Sequence, residues 1–144
     1  MKKIIFFALL FLCWGAWAEN TLEIDTMSFT YQAKRKDLDA GFFDFPGQNR
    51  LTVEATTPWQ LYLRTDNPVF SATGDYYKPV GDLLWRLKNQ GLYNPLTHSP
   101  QLVAQGEMGK TQVMVEYRML LSWQNLPDTY TVTLLYTLTS QGAQ

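Results

Sequence analysis

A chain of 144 residues, 46% hydrophobic and 15% aromatic, with a formal net charge of −1, is long enough to bury one real core. That length argues against several domains, and a near-neutral charge with one short basic cluster excludes a general nucleic-acid binder. The single cysteine, Cys13, excludes a disulfide scaffold, so stability has to come from packing.

The chain opens like an export signal. Lys2 and Lys3 supply a positive n-region, Ile4 to Leu12 an apolar stretch, and Ala16-Trp17-Ala18 a small-x-small cleavage site before Glu19. The apolar stretch is shorter than the roughly 20 residues of a membrane span. The expectation is a signal peptide over 1–18 that contains Cys13, then a single domain over 19–144. The product is expected to be secreted (extracellular, cell surface or periplasm), with no membrane contact after cleavage.

Period-2 alternation then dominates, as in half-buried strands. Leu22, Ile24 and Thr26 alternate first, and the phase shifts to Met27, Phe29 and Tyr31, which predicts a bulge or a crossing between sheets. Ala33 to Asn49 reads as a long polar connection. Within it Lys34-Arg35-Lys36 is a solvated loop, and Phe42 to Phe45 is either an edge strand or a loop that tucks its rings onto the core. Leu51, Val53 and Ala55 form a strand, Thr56-Thr57-Pro58 breaks it, and Trp59, Leu61 and Leu63 form the next. Gln60, Tyr62 and Arg64 take the opposite phase. Asp66-Asn67-Pro68 is a turn, and Val69-Phe70 starts a short strand ended by Gly74-Asp75.

Val80 to Asn89 fits a short helix through Leu83, Leu84 and Leu87, or a strand through Leu83, Trp85 and Leu87. The neighbouring strands and Trp85 favour the strand. Tyr93 to Pro100 is a loop, and Gln101 to Gln105 is extended. Gly106-Glu107-Met108-Gly109 reads as a hairpin connection into the longest alternation, Val113, Val115, Tyr117, Met119, Leu121 and Trp123. Asn125 to Asp128 is a turn before the apolar, β-branched and aromatic run Tyr130 to Thr139. Two long strands joined in this way predict an antiparallel hairpin over Thr111 to Thr139, with Val132, Leu134, Tyr136 and Leu138 on its inner face. The fold class expected is all-β: an immunoglobulin-like two-sheet antiparallel β-sandwich of about 7–9 strands.

Chemistry is sparse. His98 adjoins Ser99, but sequence neighbours rarely face each other as base and nucleophile. Zinc lacks cysteines and a second histidine. Asp37, Asp39 and Asp44 could offer oxygens to calcium, yet their spacing matches no EF-hand loop. Glu54 and Glu116 sit at outward positions of apolar strands, which a solvent-facing strand side explains as well as a glycosidase carboxylate pair does. No catalytic residue, cofactor or metal is assigned. Trp59, Trp85 and Trp123 fall in phase with aliphatic neighbours and are expected in the core. If a ligand surface exists, Tyr62, Tyr76, Tyr77 and Tyr93, out of core phase or in loops, are the better candidates.

Trp59-Gln60-Leu61 reads W-x-L, and Tyr130 to Leu138 is close to an aromatic-T-L ending. In these motifs the chain resembles WxL-type bacterial surface domains over Leu51 to Thr139, with Tyr136 where that family has Trp. The resemblance implies a secreted β-rich protein held non-covalently at a cell wall, with Trp59, Leu61, Tyr136 and Leu138 as the matching positions. Pro127-Asp128-Thr129-Tyr130, followed by alternating Thr and apolar residues, also resembles the last hairpin of pilin and spore-coat-like bacterial sandwiches. The reading that follows is a non-catalytic structural or adhesive surface protein whose partner is cell-wall polysaccharide or another surface protein, with self-association open. A fibre subunit that assembles by strand addition is the alternative, and a small glycan-binding or glycan-hydrolysing protein a more distant one.

Overall fold

A computed structural model describes residues 20–24, 31–32, 34–45, 49–72, 77–123 and 129–140. The expected signal peptide with Cys13, the phase shift at Met27 and Phe29, the turns at Pro46-Gly47, Gly74-Asp75 and Pro127-Asp128, and Tyr76 lie outside the described residues.

Alternating side chains produce twelve strands and one short helix among the described residues. The large sheet runs β1 (Thr21–Ile24), β4 (Asn49–Ala55), β10 (Gly109–Leu120), β7 (Leu83–Leu87) and β8 (Asn94–Pro95). β3 (Phe42–Asp44) also pairs with β10, next to Arg118–Leu120, on the side that β4 occupies further along. Facing it is a three-stranded sheet in the order β12 (Leu134–Ser140), β5 (Trp59–Thr65) and β9 (Gln101–Gly106). A small third sheet joins β2 (Tyr31–Gln32), β11 (Thr129–Thr131) and β6 (Ser71–Ala72). All pairings are antiparallel. The expected β-sandwich is present, with the small sheet added to its two layers.

The core is what the alternation dictates. Leu51, Val53, Val113, Val115, Tyr117 and Met119 point inward from the large sheet, and Trp59, Leu61, Leu63, Leu134 and Tyr136 meet them from the facing sheet. Each fully buried large side chain contributes roughly 1.5–3 kcal/mol. Trp85 is buried as expected, and Leu83–Leu87 is the strand expected there, entered through a 3-10 turn at Val80–Asp82. Phe42–Asp44 resolves as an edge strand.

Several expectations need correction. β10 and β12 do not form a hairpin: they lie in different sheets and meet across the core. Tyr130 to Thr139 is not one strand. It breaks at Val132-Thr133, where Asp66 accepts from the Thr133 amide through Oδ1 (3.2 Å) and donates its own amide to the Thr133 carbonyl (3.1 Å). Tyr130 is thereby left in the small sheet and Tyr136 placed in the facing one. Residues 106–109 likewise carry the chain from the facing sheet to the large one instead of closing a hairpin. They run beside the earlier crossing at Thr56-Thr57-Pro58, since Gly106 pairs with Trp59 and Gly109 with Ala55.

Trp123 is 52% exposed, because β10 ends at Leu120 while the alternation in sequence runs on. The basic cluster is not wholly a loop. Arg35–Ala40 is a helix, α1, that buries Leu38 and ends on Gly41 in the left-handed conformation (φ 83°). The short strand expected from Val69 begins two residues later, at Ser71.

Candidate functional site

The register of the large sheet decides what its outer face presents. Glu116 lies directly opposite Arg86, Arg118 opposite Asp44, and Lys110 opposite Glu54. Each cross-strand pair is an ion pair: Arg86 Nε to Glu116 Oε2 at 2.8 Å, Arg118 Nε to Asp44 Oδ1 at 2.6 Å, and Lys110 Nζ to Glu54 Oε1 at 3.4 Å. Arg118 also donates from Nη2 to Asp44 Oδ2 (3.0 Å), the bidentate geometry that guanidinium favours.

Aromatic rings extend this array. The loop before β8 lays the Tyr93 ring over both guanidiniums, 4.4 Å from Arg86 and 4.7 Å from Arg118. Phe42 sets its ring 4.3 Å from the Arg118 guanidinium. Phe42, Arg118, Tyr93 and Arg86 therefore form one aromatic and guanidinium array across β3, β10 and β7. Burial pushes the Tyr93 phenol above its ordinary pKa, Asp44 adds to the shift, and the two arginines oppose it. Tyr93 keeps its proton at neutral pH and can donate.

The outer face of the other sheet is different. Tyr62 stands between Leu102 and Thr137 across the three strands. Its hydroxyl donates to Gln60 Oε1 (2.8 Å), and Gln60 Nε2 points to Gln105 Oε1 (3.4 Å). Arg64 is the one ionic side chain of β5. At the end of the sandwich a cleft of about 370 Å³ opens between the Leu87 to Gln90 turn, Gln112 to Met114 and Ala104.

The tyrosines singled out from the sequence do not converge. Tyr62 and Tyr93 occupy opposite outer faces, both half-buried. Tyr77 is 68% exposed, and Tyr76 lies outside the described residues. Sequence reasoning missed Phe42, Arg86 and Arg118 as partners of Tyr93. The outward phase of Arg86 and Arg118 was visible and that of Phe42 was not, and the adjacency of all three depends on a register that phase alone does not give.

The other candidates are engaged elsewhere. His98 Nδ1 lies 2.9 Å from the Thr65 carbonyl, and the Ser99 carbonyl accepts from Thr97 Oγ1 at 2.6 Å. Glu54 and Glu116 are the ion-paired residues named above. Asp37 is buried in α1, while Asp44 holds Arg118. Among the described residues no group of three or more His, Cys, Asp or Glu side chains is placed to hold a metal ion, and no helix is long and apolar enough to cross a membrane.

No protein-family model matches the chain, nor does any curated protein or solved structure.

Proposed function

We propose that the chain is a secreted, non-catalytic structural or adhesive component of a bacterial surface that holds a neutral polar partner, cell-wall polysaccharide foremost. One observation carries this reading: the array of Phe42, Arg118, Tyr93 and Arg86 on the outer face of the large sheet. It combines flat apolar area with planar N–H donors, and both suit a sugar ring. Its cations are already neutralised by Asp44 and Glu116, so the surface favours an uncharged ligand over a phosphate.

The positions that carry the WxL resemblance fit the same division of labour. Trp59, Leu61 and Tyr136 are interior and Leu138 packs at the rim of the core, so they serve the fold and leave wall contact to the outer faces.

Sedimentation with purified peptidoglycan tests the reading. The protein is expected in the pellet, and Tyr93→Ala should weaken binding by roughly tenfold, the scale of one aromatic contact. Tyr62→Ala, on the opposite face, should leave binding unchanged. A wholly soluble protein would overturn the proposal.

A further inference from the structure

The aromatic and guanidinium array has an apolar margin. Leu120 lies directly opposite Phe42 in the β3–β10 register, and the two are 40% and 39% exposed. Met119, before Leu120, is buried, so Leu120 points outward with Arg118 and Phe42. On the other side of β10, Leu84 lies opposite Arg118, and Pro95 opposite Leu84. Leu84 sits between buried Leu83 and Trp85 and so faces outward too. Phe42, Leu120, Leu84 and Pro95 thus border Arg118 on the surface of the sheet.

The donors inside this margin are only partly used. Arg118 donates to Asp44 from Nε and Nη2, and Arg86 donates to Glu116 from Nε. Among the described residues, Nη1 of Arg118 and both terminal nitrogens of Arg86 keep N–H groups for a ligand. Asp44 and Glu116 cancel the two charges. The surface therefore offers neutral hydrogen-bond donation beside uncovered apolar side chains.

We propose, building on the polysaccharide reading above, that this surface selects N-acetylated amino-sugar units of a glycan chain over unsubstituted sugars. The acetamido group fits both halves. Its methyl covers Phe42 and Leu120, and its neutral carbonyl oxygen accepts from Arg118, whose guanidinium lies 4.3 Å from the Phe42 ring. A hydroxyl in its place would meet the donors and leave the margin in water. A hydrocarbon would cover the margin and leave the donors unpaired. A carboxylate or phosphate would find cations already paired and would face Asp44 and Glu116. An alanine-rich peptide also carries methyls and carbonyls, but it lacks the flat pyranose face that the array matches.

The test compares tetra-N-acetylchitotetraose with cellotetraose on the full chain by isothermal titration calorimetry. The two sugars differ only in acetamido against hydroxyl at C2. The acetylated sugar should bind at least about tenfold tighter, the scale of one covered methyl together with one hydrogen bond. Leu120→Gln should remove most of that preference, with the melting temperature and the cellotetraose affinity unchanged. N-acetyl-dialanine methylamide should give no heat of binding. No binding of the acetylated sugar, equal affinity for the two sugars, a preference that survives Leu120→Gln, or tighter binding of the peptide would each overturn the inference. If the protein still pellets with peptidoglycan in that case, only the selectivity falls. If it stays soluble, the polysaccharide reading falls with it.

Discussion

The hydroxyls of Tyr117 and Tyr136 share a hydrogen bond inside the sandwich, one ring from each facing sheet. Both side chains are buried, so the contact links β10 to β12 where no backbone ladder does. Tyr136→Phe takes away Tyr117's partner in the opposite sheet and should cost about 1–3 kcal/mol. The double change to Phe should cost less than the two single changes summed. Urea unfolding of the four proteins reads out the coupling, and strict additivity would show the bond to be dispensable.

The same pair sets an alkaline limit. Burial raises the pKa of both phenols well above the ordinary value near 10, and for Tyr117 the neighbouring Tyr136 adds to the shift. The folded state therefore holds these protons more tightly than the unfolded chain does. Stability is full below about pH 10 and falls as pH rises beyond it, by about 2.7 kcal/mol per pH unit for two such groups. Denaturant midpoints between pH 8 and 12 should fall more steeply with pH in the native protein than in Tyr117→Phe/Tyr136→Phe, and equal slopes would show that the pair sets no alkaline limit.

Lys78 presents the reverse case, a fully buried ammonium. Its Nζ donates to Asp82 Oδ2 and to the Leu120 carbonyl, both at 2.8 Å, and lies 5.6 Å from the Tyr130 ring. Desolvation lowers its pKa, and Asp82 partly offsets that. Asp82→Asn removes the countercharge and should cost ~2 kcal/mol, below the value for a fully buried pair because Asp82 is partly exposed. The double change Lys78→Met/Asp82→Leu, which replaces both partners by apolar groups, should cost less than Asp82→Asn alone. Thermal unfolding distinguishes the two variants.

Gly106 tests the corner where the chain changes sheet. A Cβ there would stand 2.8 Å from Cζ2 of Trp59, whose indole Nε1 donates to the Glu107 carbonyl (3.0 Å). Gly106→Ala must displace a buried ring and should cost about 1–3 kcal/mol. Trp59→Ala should cost about 3–5 kcal/mol. A melting temperature unchanged in Gly106→Ala would show that the indole can move.

Trp123 separates phase from burial. Sequence alternation places it with Tyr117 and Leu121, and a core role would make Trp123→Ala as costly as Tyr136→Ala. Its 52% exposure predicts less than ~1 kcal/mol instead. Parallel melts of the two alanine variants decide between these outcomes.

These residues mark what the sequence could convey. Val113, Val115, Tyr117, Met119 and Leu121 are all buried, as their alternation requires. Alternation reports which way a side chain points and is silent about which strand lies beside it. Consecutive strands pair often enough to suggest a hairpin over 111–139, but a sandwich also uses consecutive strands to change layers. α1 was missed for a related reason: six residues with a single buried leucine show no helical period. The array around Tyr93 was hidden too, because its members come from β3, β7, β10 and a loop that only the register aligns.

Asn20 receives a bond from the Thr56 amide (3.0 Å) and donates to Thr57 Oγ1 (3.2 Å) and Ser140 Oγ (2.8 Å). One side chain thus clasps the first described strand, the crossing after β4 and the last strand. The mechanical meaning is specific. A pull applied through residues 20 and 140 starts from neighbouring points, so the domain hangs from one corner and adds almost nothing to the reach of a tether. The load falls first on the hydrogen bonds of a single asparagine, and the clasp must open before either sheet begins to peel.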